Sequence, residues 1–331
     1  MMVSVEPLLR VSGLHVSFET SRGSIRAVDG VDLKVRTGEV LGLVGESGSG
    51  KSVTLRSITR ILHPNARVKG QVFWRGEDLL HMPETRLHAV RGAEIAMIFQ
   101  EPMTALNPVL PIGLQIDEAL VAHTSLSRAA RRKRAIELLG LVGIPSAAER
   151  LGNYPHEFSG GMRQRAMIAI ALAAEPKLLL ADEPTTALDV TIQDQILKLL
   201  LRLVDELGMA MILVTHDLGV VAETCSQVAV MYAGRIAEAG PVETLFHHPR
   251  HAYTHALLNS MPDSTAARVA LKPIPGQPPR LDRPIPGCPF IPRCTWATPP
   301  CEVQPPLVSV APGHVSACTA AHRLPSRIVP A

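Results

Sequence analysis

Gly45-Glu46-Ser47-Gly48-Ser49-Gly50-Lys51-Ser52 follows directly on the apolar run Val40-Leu41-Gly42-Leu43-Val44 and precedes a stretch of helical spacing, Ser52–Leu62. A buried strand, a glycine-rich loop and a helix in that order form a phosphate-binding element and place the chain in the α/β class. Glycines let consecutive backbone N–H groups converge on phosphate oxygens, Lys51 adds a point charge, and the Ser52 hydroxyl is a candidate ligand for Mg²⁺. Taken alone, the loop says only that a nucleotide is held.

The rest of the chain narrows the reading. Leu178-Leu179-Leu180-Ala181-Asp182-Glu183 is an apolar strand ending in two carboxylates, expected beside the phosphate loop. Asp182 is the candidate Mg²⁺ ligand and Glu183 the candidate group that polarises an attacking water. Ser159-Gly160-Gly161-Met162-Arg163-Gln164 opens a helical pattern running to about Ala174. Its first N–H groups and positive helix end are open to an anion. A serine N-cap would explain the serine, but two successive glycines cost helix stability unless something approaches the backbone closely.

The series Gln100, Ser159–Gln164, Asp182-Glu183, Ala187-Leu188-Asp189 and His216, downstream of the loop, resembles the ATP-binding subunit of an ABC transporter throughout. The resemblance implies an ATP hydrolase in which Gln100 senses Mg²⁺ and the γ-phosphate and His216 contacts the γ-phosphate. It also implies that Ser159, Gly160, Gly161 and Gln164 face ATP held on a second subunit, with two shared sites in a head-to-tail dimer. Phe18 precedes every other Phe, Tyr or Trp of the chain. It is therefore the candidate for stacking on adenine, with core packing as the equal alternative.

Further motifs resemble one branch of that family, the ATP-binding subunits of bacterial dipeptide, oligopeptide and nickel importers. They are Gln100-Glu101-Pro102-Met103-Thr104-Ala105-Leu106-Asn107-Pro108, Tyr154-Pro155-His156-Glu157-Phe158, His251-Ala252-Tyr253-Thr254-His255-Ala256-Leu257-Leu258 and Ile274-Pro275-Gly276-Gln277-Pro278-Pro279. Ala252 stands where that branch commonly has proline. The resemblance implies peptide import powered by ATP, with nickel import or a soluble ABC ATPase as alternatives. Expected partners are a second, related ABC ATPase subunit, two integral membrane permease subunits and an extracytoplasmic substrate-binding protein. A small-molecule kinase would share the phosphate loop but not Ser159–Gln164.

Composition agrees. The 331 residues carry a net charge of +3, too little to argue for nucleic acid. The basic run Arg131-Arg132-Lys133-Arg134 falls in an expected amphipathic helix, Leu114–Leu141, and reads as a solvated face. No stretch approaches the roughly 20 continuous apolar residues of a membrane span, and Met1–Arg10 has no basic-then-apolar pattern. The expected location is the cytoplasmic face of the cell membrane, as a peripheral subunit.

The expected fold is a P-loop (RecA-like) ABC ATPase core over residues 1–261, with an antiparallel β subdomain and an inserted helical subdomain at about 102–165. Residues 262–331 form an expected small, irregular, Cys/Pro-rich C-terminal extension. Thirteen of the 28 prolines lie between Pro273 and Pro312, which excludes regular helix or central strand there. Cys288, Cys294, Cys301 and Cys318 are spaced C-x5-C-x6-C-x16-C in that segment. With disulfides disfavoured in a reducing cytoplasm, the spacing predicts metal ligation. A [4Fe–4S] cluster is the first expectation and zinc the alternative, and the resemblance points to a cluster as well. Four histidines, His247, His248, His251 and His255, are expected to hold no metal.

Overall fold

The computed structural model describes residues 6–21, 23–186, 188–260 and 273–326. The expected boundary at 261/262 lies outside the described residues. By contact density the chain divides into two units: one assembled from the segments up to Val35, Val40–Leu80 and Thr215 onward, the other from Arg36–Glu39 and His81–Val214.

The first unit contains two sheet portions. Leu9–Thr20 is central in an antiparallel sheet, flanked by Gly23–Val35 and Ala66–Trp74, with Glu77–Asp78 at the edge. Leu9, Val11, Leu14 and Val16 are buried, as are Val31, Val35, Val72 and Trp74 opposite them. That face is the apolar half of an apolar/polar alternation along these strands. In the second portion Val40–Val44 runs parallel to Gln227–Tyr232, in register from Leu41↔Gln227 to Val44↔Val230. Arg235–Pro241 then pairs antiparallel to Gln227–Tyr232. A C-terminal hairpin, Val308–Ala311 with His314–Ser316, adds beyond it through Glu238↔Ser316 and Ala239↔Val315.

The helix Leu218–Thr224 packs against Val40–Val44. A Cβ at Gly42 would lie 3.0 Å from Val221 and 3.2 Å from the Cys225 sulfur, so the strand carries glycine there. Phe290 and Leu324, both from the proline-rich segment, enter one apolar cluster with Val44, Val230, Tyr232, Tyr253 and Leu258. The segment has too little apolar material for a core of its own and shares this one.

In the second unit Leu178–Asp182 lies between Ile95–Ile98 and Ala210–Thr215, parallel to both, with Ile98↔Ala181 and Asp182↔Val214 in register. All five residues of the middle strand are buried, which explains a continuous apolar run rather than an alternating one. Around it stand Ile112–His123, Arg128–Leu141, Gly160–Ala171 and Val190–Leu207. The expected single helix Leu114–Leu141 is two helices. Thr124 ends the first, its hydroxyl donating back to the Leu120 carbonyl at 2.6 Å, and Ser127 caps the second by accepting from Ala130 N. Arg131 pairs with Asp117 at 2.6 Å, Arg134 with Glu175 at 2.8 Å and Lys133 with Glu137 at 3.9 Å, so three members of the basic run have acidic partners. Among the described residues no helix is long and apolar enough to cross a membrane.

Candidate functional site

The phosphate loop leaves the strand at Val44 and enters the helix Lys51–Ile58 through three glycines in positive φ: Gly45 at 147°, Gly48 at 76° and Gly50 at 104°. A Cβ on Gly45 would collide with the Met231 carbonyl oxygen, and one on Gly50 with that of Ala27, whereas Gly48 faces open space. Gly45 thus lets the loop lie against its own sheet and Gly50 against the strand Gly23–Val35 of the antiparallel sheet, and Gly48 serves the turn itself. Lys51 is almost wholly buried, and its Nζ donates to the carbonyls of Gly45 (2.8 Å) and Glu46 (3.1 Å). The Ser49 hydroxyl is buried with no hydrogen-bond partner among the described residues. A curl of backbone with an ammonium at its centre and an unsatisfied hydroxyl within it fits a polyphosphate. Ser47 and Ser52 flank this curl at the loop's tip and at the first helical turn.

Glu46 is held in a way no local motif suggests. Its carboxylate accepts a two-pronged pair from Arg293, Nη1 to Oε2 at 2.7 Å and Nη2 to Oε1 at 2.9 Å. Its backbone N–H donates to the Tyr253 hydroxyl at 2.9 Å. Hydrogen bonding to Glu46, against the opposing effect of burial, raises the pKa of the Arg293 guanidinium further above its usual range. Burial likewise pushes the phenols of Tyr232 and Tyr253 up. Arg293 and Tyr253 are contributors to the loop that sequence reasoning missed. The pairing spans 247 positions, and its sequence signal is one arginine beside a cysteine in a proline-rich segment.

In the second unit, Gln100 and Glu183 meet. Gln100 Nε2 donates to Glu183 Oε2 at 3.1 Å, and the Thr186 hydroxyl donates to the same oxygen at 2.9 Å. Thr186 is a further residue that sequence reasoning missed. Glu183 has φ of 46°, a strained value for a side-chain-bearing residue that costs on the order of 1 kcal/mol. Its N–H is nevertheless bonded to the Val214 carbonyl at 3.1 Å. Asp182, one residue earlier, stays fully buried at the strand's end.

Ser159 caps the helix Gly160–Ala171, its hydroxyl accepting from Met162 N at 3.3 Å. The two glycines have different reasons. A Cβ on Gly161 would lie 3.0 Å from Ile192, a packing constraint within the unit, whereas Gly160 is exposed and its nearest neighbour would be Leu188 at 3.5 Å. Of the two, Gly160 is therefore the one whose backbone is left open. Gln164 is buried, and its Nε2 has no partner among the described residues. Asp189 caps Val190–Leu207 through Ile192 N at 3.0 Å; Ala187 lies outside the described residues.

His216 is exposed immediately after Ala210–Thr215, ahead of Asp217, whose carboxylate caps Leu218–Thr224. Phe18 is half-buried, with Ile25 and Ala66 as cross-strand neighbours.

The expected iron–sulfur centre requires correction. Among the described residues no three or more His, Cys, Asp or Glu side chains form a group able to hold a metal ion, and all four cysteines are described. The zinc alternative falls with the cluster. Cys301 instead shares hydrogen bonds with Thr319 (3.1 Å) and Thr298 (3.7 Å), and Cys294 accepts from Trp296 N. Burial pushes the Cys288 thiol up to about 11 and raises Cys294 and Cys318 as well, so these are protonated, apolar thiols lining the cluster around Phe290. At Cys301 burial acts in the same sense, but hydrogen bonds led by Thr319 outweigh it and its pKa is lowered. Of the four histidines, His251 is buried and accepts from Tyr253 N at 3.0 Å, capping Ala252–Asn259.

Comparison with known proteins agrees with this geometry. Residues 28–186 match the ABC transporter family, and residues 237–301 match the family described as the oligopeptide/dipeptide transporter C-terminal region. The chain is 52% identical to a putative peptide import ATP-binding protein of Brucella abortus over 94% of both chains. It is 48% identical to the oligopeptide transport ATP-binding protein OppD of Salmonella typhimurium, covering 94% of this chain and 93% of OppD. With the dipeptide transport ATP-binding protein DppD of Bacillus subtilis it shares 51% over 88% and 87%. Among solved structures, the dimeric post-hydrolysis ATP-binding cassette MJ0796 bound to ADP and Pi is similar at a TM-score of 0.64. That match has 28% identity and covers 71% of this chain and 98% of the other.

Proposed function

From the premise that this chain belongs to the ABC transporter family, as the ATP-binding subunit of a peptide importer, we propose how its residues bind and hydrolyse ATP. Backbone N–H groups of the phosphate loop, with Lys51, hold the β- and γ-phosphates, and the Lys51 ammonium exchanges its carbonyl partners for phosphate oxygens. Mg²⁺, when bound, neutralises phosphate charge; Ser52, Asp182 and Gln100 are the residues that would hold it. Glu183 orients the attacking water and takes its proton, its carboxylate kept in place by Gln100 and Thr186. His216 donates to the γ-phosphate, and Phe18 covers the adenine face.

A second subunit of the same family, a related but different chain, completes each site. The start of the helix at Ser159, with the exposed Gly160 and Gly161 behind it, offers N–H groups to a γ-phosphate held by that partner. Gln164 supports this helix start from within. Two integral membrane permease subunits dock where Met103 and Val109 are exposed, and an extracytoplasmic binding protein delivers the peptide. The chain is accordingly peripheral, at the cytoplasmic face of the membrane. The match over residues 28–186 supports the ATPase part of this reading, and the match over residues 237–301 supports peptide rather than nickel as the cargo. The single observation that carries the hydrolytic assignment is the carboxylate of Glu183, strained in backbone and bonded by both Gln100 and Thr186.

Affinity-tagged chain drawn from native membranes should bring down two integral membrane proteins, and cysteine at Met103 should crosslink to them. Inverted vesicles holding that assembly should consume ATP in proportion to peptide transport. Recovery of the chain without membrane proteins, or transport independent of ATP, refutes the reading.

A further inference from the structure

Every backbone and side-chain polar group of Glu46 is engaged by another residue. Its N–H donates to the Tyr253 hydroxyl, its carbonyl accepts from Lys51 Nζ, and its two carboxylate oxygens take the fork of Arg293. Tyr253 and Arg293 both lie in the region matched by the oligopeptide/dipeptide transporter C-terminal family, residues 237–301. The loop residue is thus tied at one side to the lysine that neutralises phosphate and at the other to the C-terminal region.

Arg293 is preorganised for this contact. Its side chain is 5% exposed, and its Nε donates to the Pro275 carbonyl at 2.8 Å. Its Nη1 also reaches the Tyr232 hydroxyl at 3.2 Å, and the guanidinium stands 5.9 Å from the ring centroids of both Tyr232 and Phe290. A planar fork so oriented sets the direction as well as the position of the carboxylate it holds. Tyr253 is in turn wedged between Tyr232, at 4.5 Å, and Phe290, at 5.4 Å. The hydroxyl that receives the Glu46 N–H is therefore fixed by packing.

We propose that Arg293 and Tyr253 are positioning residues for the nucleotide: by clamping Glu46 they fix the curl of the phosphate loop, so that ATP affinity depends on the C-terminal segment being docked. The inference rests on the phosphate loop being the ATP site. Neither residue touches the phosphates; both act through Glu46. A loop already curved around its anion loses no conformational freedom on binding, whereas an unclamped loop must be ordered by the ligand. The clamp also spares Lys51 a conflict, because the Glu46 carboxylate, paired to Arg293, does not compete with phosphate for the ammonium.

Titration of the purified full-length chain with a fluorescent ATP analogue and Mg²⁺ tests this, with thermal melting in the absence of nucleotide as the check on folding. Arg293→Ala should weaken binding about tenfold, in the range of coupled contacts, and Arg293→Lys should restore part of the loss. Glu46→Ala combined with Arg293→Ala should be no weaker than the weaker single variant, since both remove one clamp. Tyr253→Phe deletes a single hydroxyl from a packed ring and should weaken binding about threefold, which keeps the test decisive where the arginine variant fails to fold. In steady-state hydrolysis these variants should raise KM by a larger factor than they lower kcat. A staple that serves stability alone would lower the melting temperature and leave the affinity within twofold of the parent chain; that result, or additive losses in the double variant, overturns the clamp. Failure of the parent chain itself to bind the analogue would instead refute the ATP-site reading, and this inference with it.

Discussion

Replacing Glu183 by Gln separates chemistry from architecture. The carboxylate oxygen Oε2 accepts from Gln100 Nε2 at 3.1 Å and from the Thr186 hydroxyl at 2.9 Å. A carboxamide oxygen of the same reach can take both bonds. Charge-assisted bonds are about twice as strong as neutral ones, so the substitution should cost roughly 1 kcal/mol of stability. In a chain of this size that corresponds to a fall of about 2–4 °C in Tm. Loss of a general base removes about 10²–10⁴ in rate, or roughly 3–5 kcal/mol of barrier at 1.36 kcal/mol per decade. The two effects differ enough to be read independently. Phosphate release should be measured at saturating ATP in the assembled transporter, alongside analogue binding and melting of the isolated chain. The expected outcome is turnover reduced at least a hundredfold, with affinity retained and Tm within about 5 °C. Thr186→Val should give a smaller loss, about tenfold, because the carboxylate survives with one bond fewer. Turnover of the Gln variant within about threefold of the parent would refute the assignment of Glu183 as the base.

Other consequences are equally concrete. Gly160→Asp should leave analogue binding and Tm of the isolated chain near parental values, since the position is exposed and its nearest neighbour is Leu188 at 3.5 Å. Transport should nevertheless fail, because a carboxylate would face the partner's γ-phosphate; ATP-dependent dimerisation that persists unchanged argues against the signature role. Gly161→Ala should instead lower Tm, because its Cβ meets Ile192 at 3.0 Å, and a parental Tm would show that Ile192 shifts freely. Burial holds His251 down to about 4, against an ordinary value of 6.5. Between these values only the unfolded chain takes up the proton, so stability present above pH 6.5 is lost as pH falls toward 4, by at most roughly 3 kcal/mol at 1.36 kcal/mol per unit. Urea midpoints of the parent and of His251→Asn should diverge across that window and run parallel above it; parallel curves throughout would place the titration elsewhere.

Much of the machinery is legible in the chain because its chemistry is local. A phosphate loop works through consecutive N–H groups, so Gly45, Gly48, Gly50 and Lys51 declare it within eight residues, and the buried strand before it is an unbroken apolar run. The same holds for Asp182-Glu183, where an apolar strand ends in charge, and for Ser159, whose side chain caps the helix it begins. Spacing alone misled where the requirement was convergence in space. Four cysteines over irregular backbone suggested a cluster, but ligands must meet at one point, and here the thiols are drawn instead to Thr319, Thr298, Trp296 N and the apolar surroundings of Phe290. The break at Thr124–Ser127 was hidden because helical periodicity carries through three small polar residues and Leu126.

Tertiary structure alone decided which glycine of the Gly160-Gly161 pair serves packing and which is left open, since both look alike until Ile192 is placed. It alone joined Arg293 to Glu46 across 247 positions. It also buried Glu238, which accepts from His314, Arg250 N and His251 N at 2.6–2.9 Å and so ties the C-terminal hairpin to the sheet. A buried charge requires partners, but nothing in a linear sequence says from how far away they come. Side chains drawn together by the collapse of a shared apolar core have no period and no fixed spacing, which is why the residues that hold the phosphate loop in shape could be found only after the chain had folded.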